Sequence, residues 1–163
     1  MNLFNEFVKH PCKKYAYHEH FMKKALRCAK IAEKAGDVPV GCLIVKEGKI
    51  ISVGLNMREM HNDVTEHAEM VALRRACDKL GDWRLTGCDM YVTLEPCPMC
   101  AGAILQSRIG RLFIGAVDLN LGAAGSKIDL FNHNLFNHNI EVNLGVLLEE
   151  CSSQIKDFFK AKR

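Results

Sequence analysis

Apolar residues recur at helical spacing between Glu19 and Ala35, where Phe21, Met22, Ala25, Leu26, Ala29 and Ala32 form one stripe. Gly36 supplies a stop and Pro39 follows just beyond it. The pattern then switches. Val40 to Val45 is an apolar, β-rich run, Lys46-Glu47-Gly48-Lys49 reads as a turn, and Ile50 to Leu55 is a second run, together a hairpin. Asn56 to Val64 is polar and reads as a loop. Helical spacing returns from Thr65 to Leu80, with Thr65 placed to cap the start and Gly81 to end it. Ala68 stands three residues after Thr65, so the reciprocal Glu or Gln of a capping box is absent.

Asp89 to Leu94 reads as a strand, Pro96 to about Gln106 as a helix with Ala101, Ile104 and Leu105 inward, and Leu112 to Val117 as a strand. Asp118 to Asn139 is a long loop region with one helical turn expected near Asp129-Leu130-Phe131. Ile140 to Leu144 is a short strand, and Val146 to about Lys160 a closing amphipathic helix. The order α-β-β-α-β-α-β-β-α predicts an α/β fold with helices packed on the faces of a sheet. Residues 1–16 show no periodicity; Phe4, Phe7 and Val8 are expected to pack on the domain.

The 163 residues suit a single domain, with residues 1–16 as an extension and 146–163 as a C-terminal helix. The 48% hydrophobic and 25% charged content is that of a globular protein with a full core. A net charge of +3 permits a nucleic-acid partner without requiring one. No run approaches the roughly 18 apolar residues of a membrane span, and Met1 to Lys14 lacks the pattern of a secretory signal. Of eight cysteines, Cys28, Cys42, Cys77, Cys88 and Cys151 fall inside apolar segments, where cysteine serves as a small hydrophobe. That usage predicts a reducing, cytoplasmic setting.

Two short motifs carry chemistry. His67-Ala68-Glu69 and Pro96-Cys97-Pro98-Met99-Cys100 offer one imidazole, two thiols and a carboxylate two residues from the imidazole. Zinc suits three such N/S ligands, which leave a fourth tetrahedral position for water. Glu69 then serves as the proton shuttle without ligating. Both motifs fall at expected helix starts, where unpaired N–H groups and a positive dipole end favour thiolate over thiol. Cys97 and Cys100, three apart, share one helix face. His67 and Glu69, two apart, point about 200° apart on an ideal helix and converge only if the first turn is irregular. The spacing H-x-E…P-C-x-x-C is that of zinc-dependent nucleobase deaminases.

Competing readings use the same residues. A structural zinc site needs a fourth ligand, for which His61, His133 and His138 are the candidates. A redox dithiol leaves His67 and Glu69 unexplained, and a Cys97 nucleophile leaves the second thiol unexplained. Asn56 and Asp118 read equally as turn residues or as contacts to a nucleotide. Lys156-Asp157-Phe158-Phe159-Lys160-Ala161-Lys162-Arg163 reads as a helix end rich in dipole-favoured cations, or as a strand-tracking surface with stacking rings. Lys9, Lys13 and Lys14 read as solvated charges.

From about Glu19 to Arg163 the chain resembles the bacterial tRNA-specific adenosine deaminases of the cytidine deaminase-like superfamily. The resemblance rests on Asp37-Val38-Pro39-Val40-Gly41, Gly54-Leu55-Asn56, Glu66-His67-Ala68-Glu69 and the stretch from Thr93 to Ile104. Gly115-Ala116-Val117-Asp118, Gly122-Ala123-Ala124-Gly125-Ser126, Asn137-His138 and Asp157-Phe158-Phe159 extend it. It implies a three-layer α-β-α sandwich around a five-stranded mixed sheet. It also implies conversion of adenosine to inosine at the wobble position of an anticodon, chiefly in an arginine tRNA, by a homodimer that binds RNA across both subunits. His67, Cys97 and Cys100 would hold one Zn2+ per subunit, with Glu69 catalytic. Substrate contacts would come from Val38, Pro39, Asn56, Ala68, Leu94, Glu95, Ala116, Asp118, Asn137, His138, Phe158 and Phe159. The chain departs from the pattern at Asp118-Leu119-Asn120-Leu121, without the lysine usual two residues after the aspartate, and at His133-Asn134-Leu135-Phe136, without the usual Pro-Gly.

Overall fold

The computed structural model describes residues 15–132 and 136–162. The expected packing of Phe4, Phe7 and Val8, the reading of Lys9, Lys13 and Lys14, and most of the His133–Phe136 departure lie outside these residues. The elements run α1 (Tyr15–Lys34), β1 (Gly41–Lys46), β2 (Lys49–Leu55), α2 (Arg58–His61), α3 (Ala68–Leu80), β3 (Cys88–Leu94), α4 (Pro98–Gln106), β4 (Arg111–Ala116), β5 (Glu141–Leu144) and α5 (Leu148–Ala161). One five-stranded mixed sheet has the order β2-β1-β3-β4-β5, antiparallel on the β1 side and parallel from β3 to β5.

Alternation along the strands builds the three layers. Cys42, Ile44, Met90, Val92, Leu112 and Ile114 face α3 and α4, in a core with Ala68, Ala72, Leu73 and Ile104. Their neighbours Leu43, Val45, Tyr91 and Phe113 face the other way, in a core with Phe21, Met22 and Ala25 of α1 and Cys151 of α5. Period-two strands buried on both faces leave the helices outside, which is the architecture the sequence predicts. Glu47 and Gly48, both at positive φ, make the two-residue hairpin turn between β1 and β2. Along the outer strand, α3 reaches over the backbone: Arg75 donates to Val53 O at 2.9 Å and Lys79 to Ile51 O at 3.0 Å.

Beyond shifts of one or two residues at element ends, four differences from expectation stand out. Within the described residues α1 already includes Tyr15, four residues before Glu19, and Tyr17 packs edge-on against Phe21. The Asn56–Val64 loop contains the single turn α2, anchored where the buried Asp37 carboxylate accepts the N–H groups of Glu59 (2.9 Å) and Met60 (3.1 Å). α3 starts at Ala68, not Thr65: the Asp63 side chain binds both the N–H and the hydroxyl of Thr65, holding it in a turn. No helical turn forms at 129–131. Instead Asp129 pairs with Ala124 as an isolated bridge, and its carboxylate takes the N–H groups of Phe131 and Asn132.

Candidate active site

The C-terminal end of β3 and the N-terminal ends of α3 and α4 meet at one edge of the sheet. Cys97 is the N-cap of α4, with Pro98 at the first helical positions, where its missing N–H costs nothing. His67 is the N-cap of α3, in extended conformation at φ −72°, ψ 152°. That irregular start resolves the 200° problem: His67 sits outside the helix, whereas Glu69 sits in its first turn. The start of α3 is pressed onto β2, since a methyl group on Gly54 would lie 2.0 Å from the Ala68 carbonyl oxygen.

His67 Nδ1 lies 3.7 Å from Cys97 Sγ and 3.6 Å from Cys100 Sγ. All three ligand atoms fall within 4.8 Å of one another. A tetrahedral zinc with bonds of about 2.3 Å to sulfur and about 2.0–2.1 Å to nitrogen separates N and S by about 3.6 Å, so the cluster fits that ion without rearrangement. Among the described residues the cluster has three members, which leaves a coordination position open. The rival fourth ligands are engaged elsewhere: His61 with Glu66 at 3.2 Å and His138 with the Ile109 carbonyl at 2.6 Å, while His133 lies outside the described residues.

The metal-free electrostatics fit the same use. A hydrogen bond from Cys100 lowers the Cys97 thiol to about 4, so Cys97 is a thiolate at neutral pH. That same bond, with burial, pushes the Cys100 thiol up. The bond to Cys97 raises His67. Glu69 is almost wholly buried, and loss of solvation raises its carboxyl to about 7. Behind the ligands, Glu66 pairs with Arg74 as well as His61, linking α2, the turn before α3 and α3 itself.

Other expected contacts divide into three groups. Val38, Pro39, Asn56, Leu94 and Ala116 line the same sheet edge: Asn56 Nδ2 donates to Val38 O at 3.2 Å, and Leu94 and Ala116 are cross-strand partners. Asn56 Oδ1 is buried and has no hydrogen-bond partner among the described residues. Asp118 is also at this edge, but its Oδ1 accepts the N–H groups of Asn120 (2.9 Å) and Leu121 (3.2 Å), which is the turn role. Ala68 is fully buried under Gly54.

A second group is turned inward. Both carboxylate oxygens of Glu95 are taken by backbone N–H groups of the following loop. Phe158 is 6% exposed and belongs to the core, with Lys162 Nζ 4.5 Å from its ring, whereas Phe159 is 48% exposed. The third group is displaced. Asn137 and His138 hydrogen-bond with Arg108 and Ile109 at the N-terminal end of β4, the edge opposite the cluster. The reason is topological: a connection between parallel strands β4 and β5 must return to the opposite edge before β5 begins. Asp37, the anchor of α2, entered the sequence reading only as the first residue of the Asp37-Val38-Pro39-Val40-Gly41 resemblance, with no role assigned.

Residues 16–116 match the family model of the cytidine and deoxycytidylate deaminase zinc-binding region. The chain belongs to that zinc-dependent deaminase family. Within it, the chain falls among the tRNA-specific adenosine deaminases. It is 46% identical over 145 residues to the tRNA-specific adenosine deaminase of Bacillus subtilis, covering 89% of this chain and 90% of that one. A structure from studies of A-to-I editing by tRNA:A34 deaminases superposes with a TM-score of 0.80 at 42% identity, covering 83% of this chain and 98% of that one. Bacillus subtilis guanine deaminase is more distant, with a TM-score of 0.59 at 35% identity over 72% of this chain and 86% of that one.

Proposed function

We propose that this protein hydrolyses the 6-amino group of adenosine at the wobble position of a tRNA anticodon, giving inosine and ammonia. The observation that carries the reading is a three-ligand N/S cluster with a buried carboxylate in the adjoining helical turn. His67, Cys97 and Cys100 would hold zinc. Bound there, zinc supplies a Lewis acid that makes water nucleophilic near neutral pH.

Glu69 does the proton work. Buried, with a carboxyl near 7 in the metal-free protein, it is matched to both accepting and giving a proton at neutral pH. It takes a proton from the attacking water and gives it to the purine ring nitrogen next to C6; it then takes the second proton, from the hydroxyl newly on C6, and gives it to the amino group as ammonia leaves. Asn56 Oδ1, without a partner among the described residues, is the group for a donor on the nucleotide. A base splayed from a loop reaches such an edge site without the cost of opening a duplex.

The similarity to tRNA-specific adenosine deaminases supports tRNA as substrate, and the resemblance supports an arginine tRNA and a homodimer. We place the second copy at the open pocket between α3 and α4, whose lining mixes apolar Trp83 and Phe136 with charged Arg74, Asp78 and Arg108. Among the described residues no helix is long and apolar enough to cross a membrane, and we place the enzyme in the cytoplasm with its tRNA. The test is a direct comparison of substrates. Inosine should form in an arginine-tRNA anticodon stem-loop, with little ammonia from free guanine or cytosine. Faster release from a free base would favour the guanine deaminase relationship instead.

A further inference from the structure

We propose that Glu95 is a positioning residue. It braces the 118–126 loop against the ligand-bearing turn and so sets the wall that receives the anticodon. This rests on the proposed function and on the expectation that Asp118, which opens that loop, contacts the substrate. Glu95 is 2% exposed. Its Oε2 accepts the N–H of Asp118 at 2.9 Å, and its Oε1 accepts those of Ala124 at 2.8 Å and Ser126 at 3.1 Å. Its own N–H donates to Ala116 O at 2.9 Å, and the N–H of Ala123 donates to Pro96 O at 2.8 Å. Three loop amides thus converge on a carboxylate two residues before Cys97, an arrangement of backbone donors suited to hold one negative charge.

The loop is closed around this carboxylate with no room to spare. A methyl group on Gly122 would sit 2.4 Å from the Glu95 carboxyl carbon and from Oε2. The need for glycine in Gly122-Ala123-Ala124-Gly125-Ser126 is therefore partly a need to pass over Glu95. With its underside held, the loop turns Leu119 (65% exposed) and Leu121 (62% exposed) outward. These are two apolar side chains on the outer side of the loop.

Glu95→Gln separates this role from direct contact. Glutamine has one acceptor oxygen. Turned toward Ala124 and Ser126, it sets its amide NH2 against the Asp118 N–H, donor against donor. Expected on an anticodon stem-loop are full zinc content, kcat within about threefold of wild type and KM raised about tenfold or more, the pattern of lost binding rather than lost chemistry. Gly122→Ala should raise KM similarly, and the double variant should be no worse than the poorer single one, because both break the same brace. Hydrogen exchange of the Asp118, Ala124 and Ser126 amides reads the brace without activity: Asp118 should lose protection in Glu95→Gln. Unchanged protection at Asp118, or a fall in kcat with KM unchanged, overturns the proposal. A wild-type protein that forms no inosine in the stem-loop overturns the functional reading instead, and that failure is read on a different measurement from amide exchange.

Discussion

Gly54 and Ala68 touch at backbone distance: a β-carbon on Gly54 would fall 2.0 Å from the Ala68 carbonyl oxygen and 2.7 Å from the Ala72 nitrogen. Residue 68 opens the helix that carries Glu69 and follows the ligand His67 directly. Gly54→Ala must therefore push α3 off β2 and carry both functional side chains with it. Overpacking of this kind costs about 1–3 kcal/mol, so urea unfolding should show that loss together with reduced zinc content. Gly102→Ala is the contrasting case. Gly102 lies inside α4 with nothing within 4 Å of an added methyl, so the change should stabilise by about 0.4–1 kcal/mol through the unfolded chain.

Glu69→Ala should keep zinc and lose deamination. The carboxylate lies outside the three-member ligand cluster, so metal measured on the purified variant should match wild type. Removing a positioned acid–base group costs about 10²–10⁴ in rate. Retained activity would disqualify Glu69 as the proton carrier.

Zinc uptake should release protons and weaken in acid. At neutral pH the stripped protein already holds Cys97 as thiolate, lowered to about 4, whereas Cys100 is held as a thiol and His67 is raised. Binding needs both sulfurs deprotonated and the imidazole neutral. The sign follows. A ligand raised in the free protein must give up its proton to the solvent on binding, so affinity falls as pH falls, first through His67 and Cys100 and finally through Cys97 near 4. Calorimetry in two buffers of different ionisation enthalpy should show net proton release at pH 7, and thiolate absorbance of the stripped protein should persist until near pH 4.

Asp37→Ala should loosen the loop before the metal helix. Asp37 is fully buried and accepts two N–H groups at the start of α2. Hydrogen bonds to a charged group contribute about 1.5–3 kcal/mol each. A loss of about 2–4 kcal/mol in denaturant unfolding is expected, with faster amide exchange at Glu59 and Met60.

Where periodicity carried the information, sequence and structure agree closely. The strands that bury alternate residues on two faces, and the helices stopped by Gly36 and Gly81, are found within a few residues of expectation because burial alone determines them. The ligand triad was equally legible, since its spacing is local within each motif. Long-range side-chain commitments were not. Glu95 and Phe158 look available in sequence, yet one is consumed by loop amides and the other by the core. Asn137 and His138 are placed by the crossover to β5, which no local pattern encodes. Asp63 overrode Thr65 as organiser of the α3 approach through a two-residue hydrogen bond that propensity does not rank.

Arg75 and Lys79 occupy the carbonyls of Val53 and Ile51 on β2, which borders the sheet. A foreign strand seeking to extend the ladder would have to evict two cations and meet their charge. Amyloid-like growth from this border is thereby discouraged even in a crowded solution.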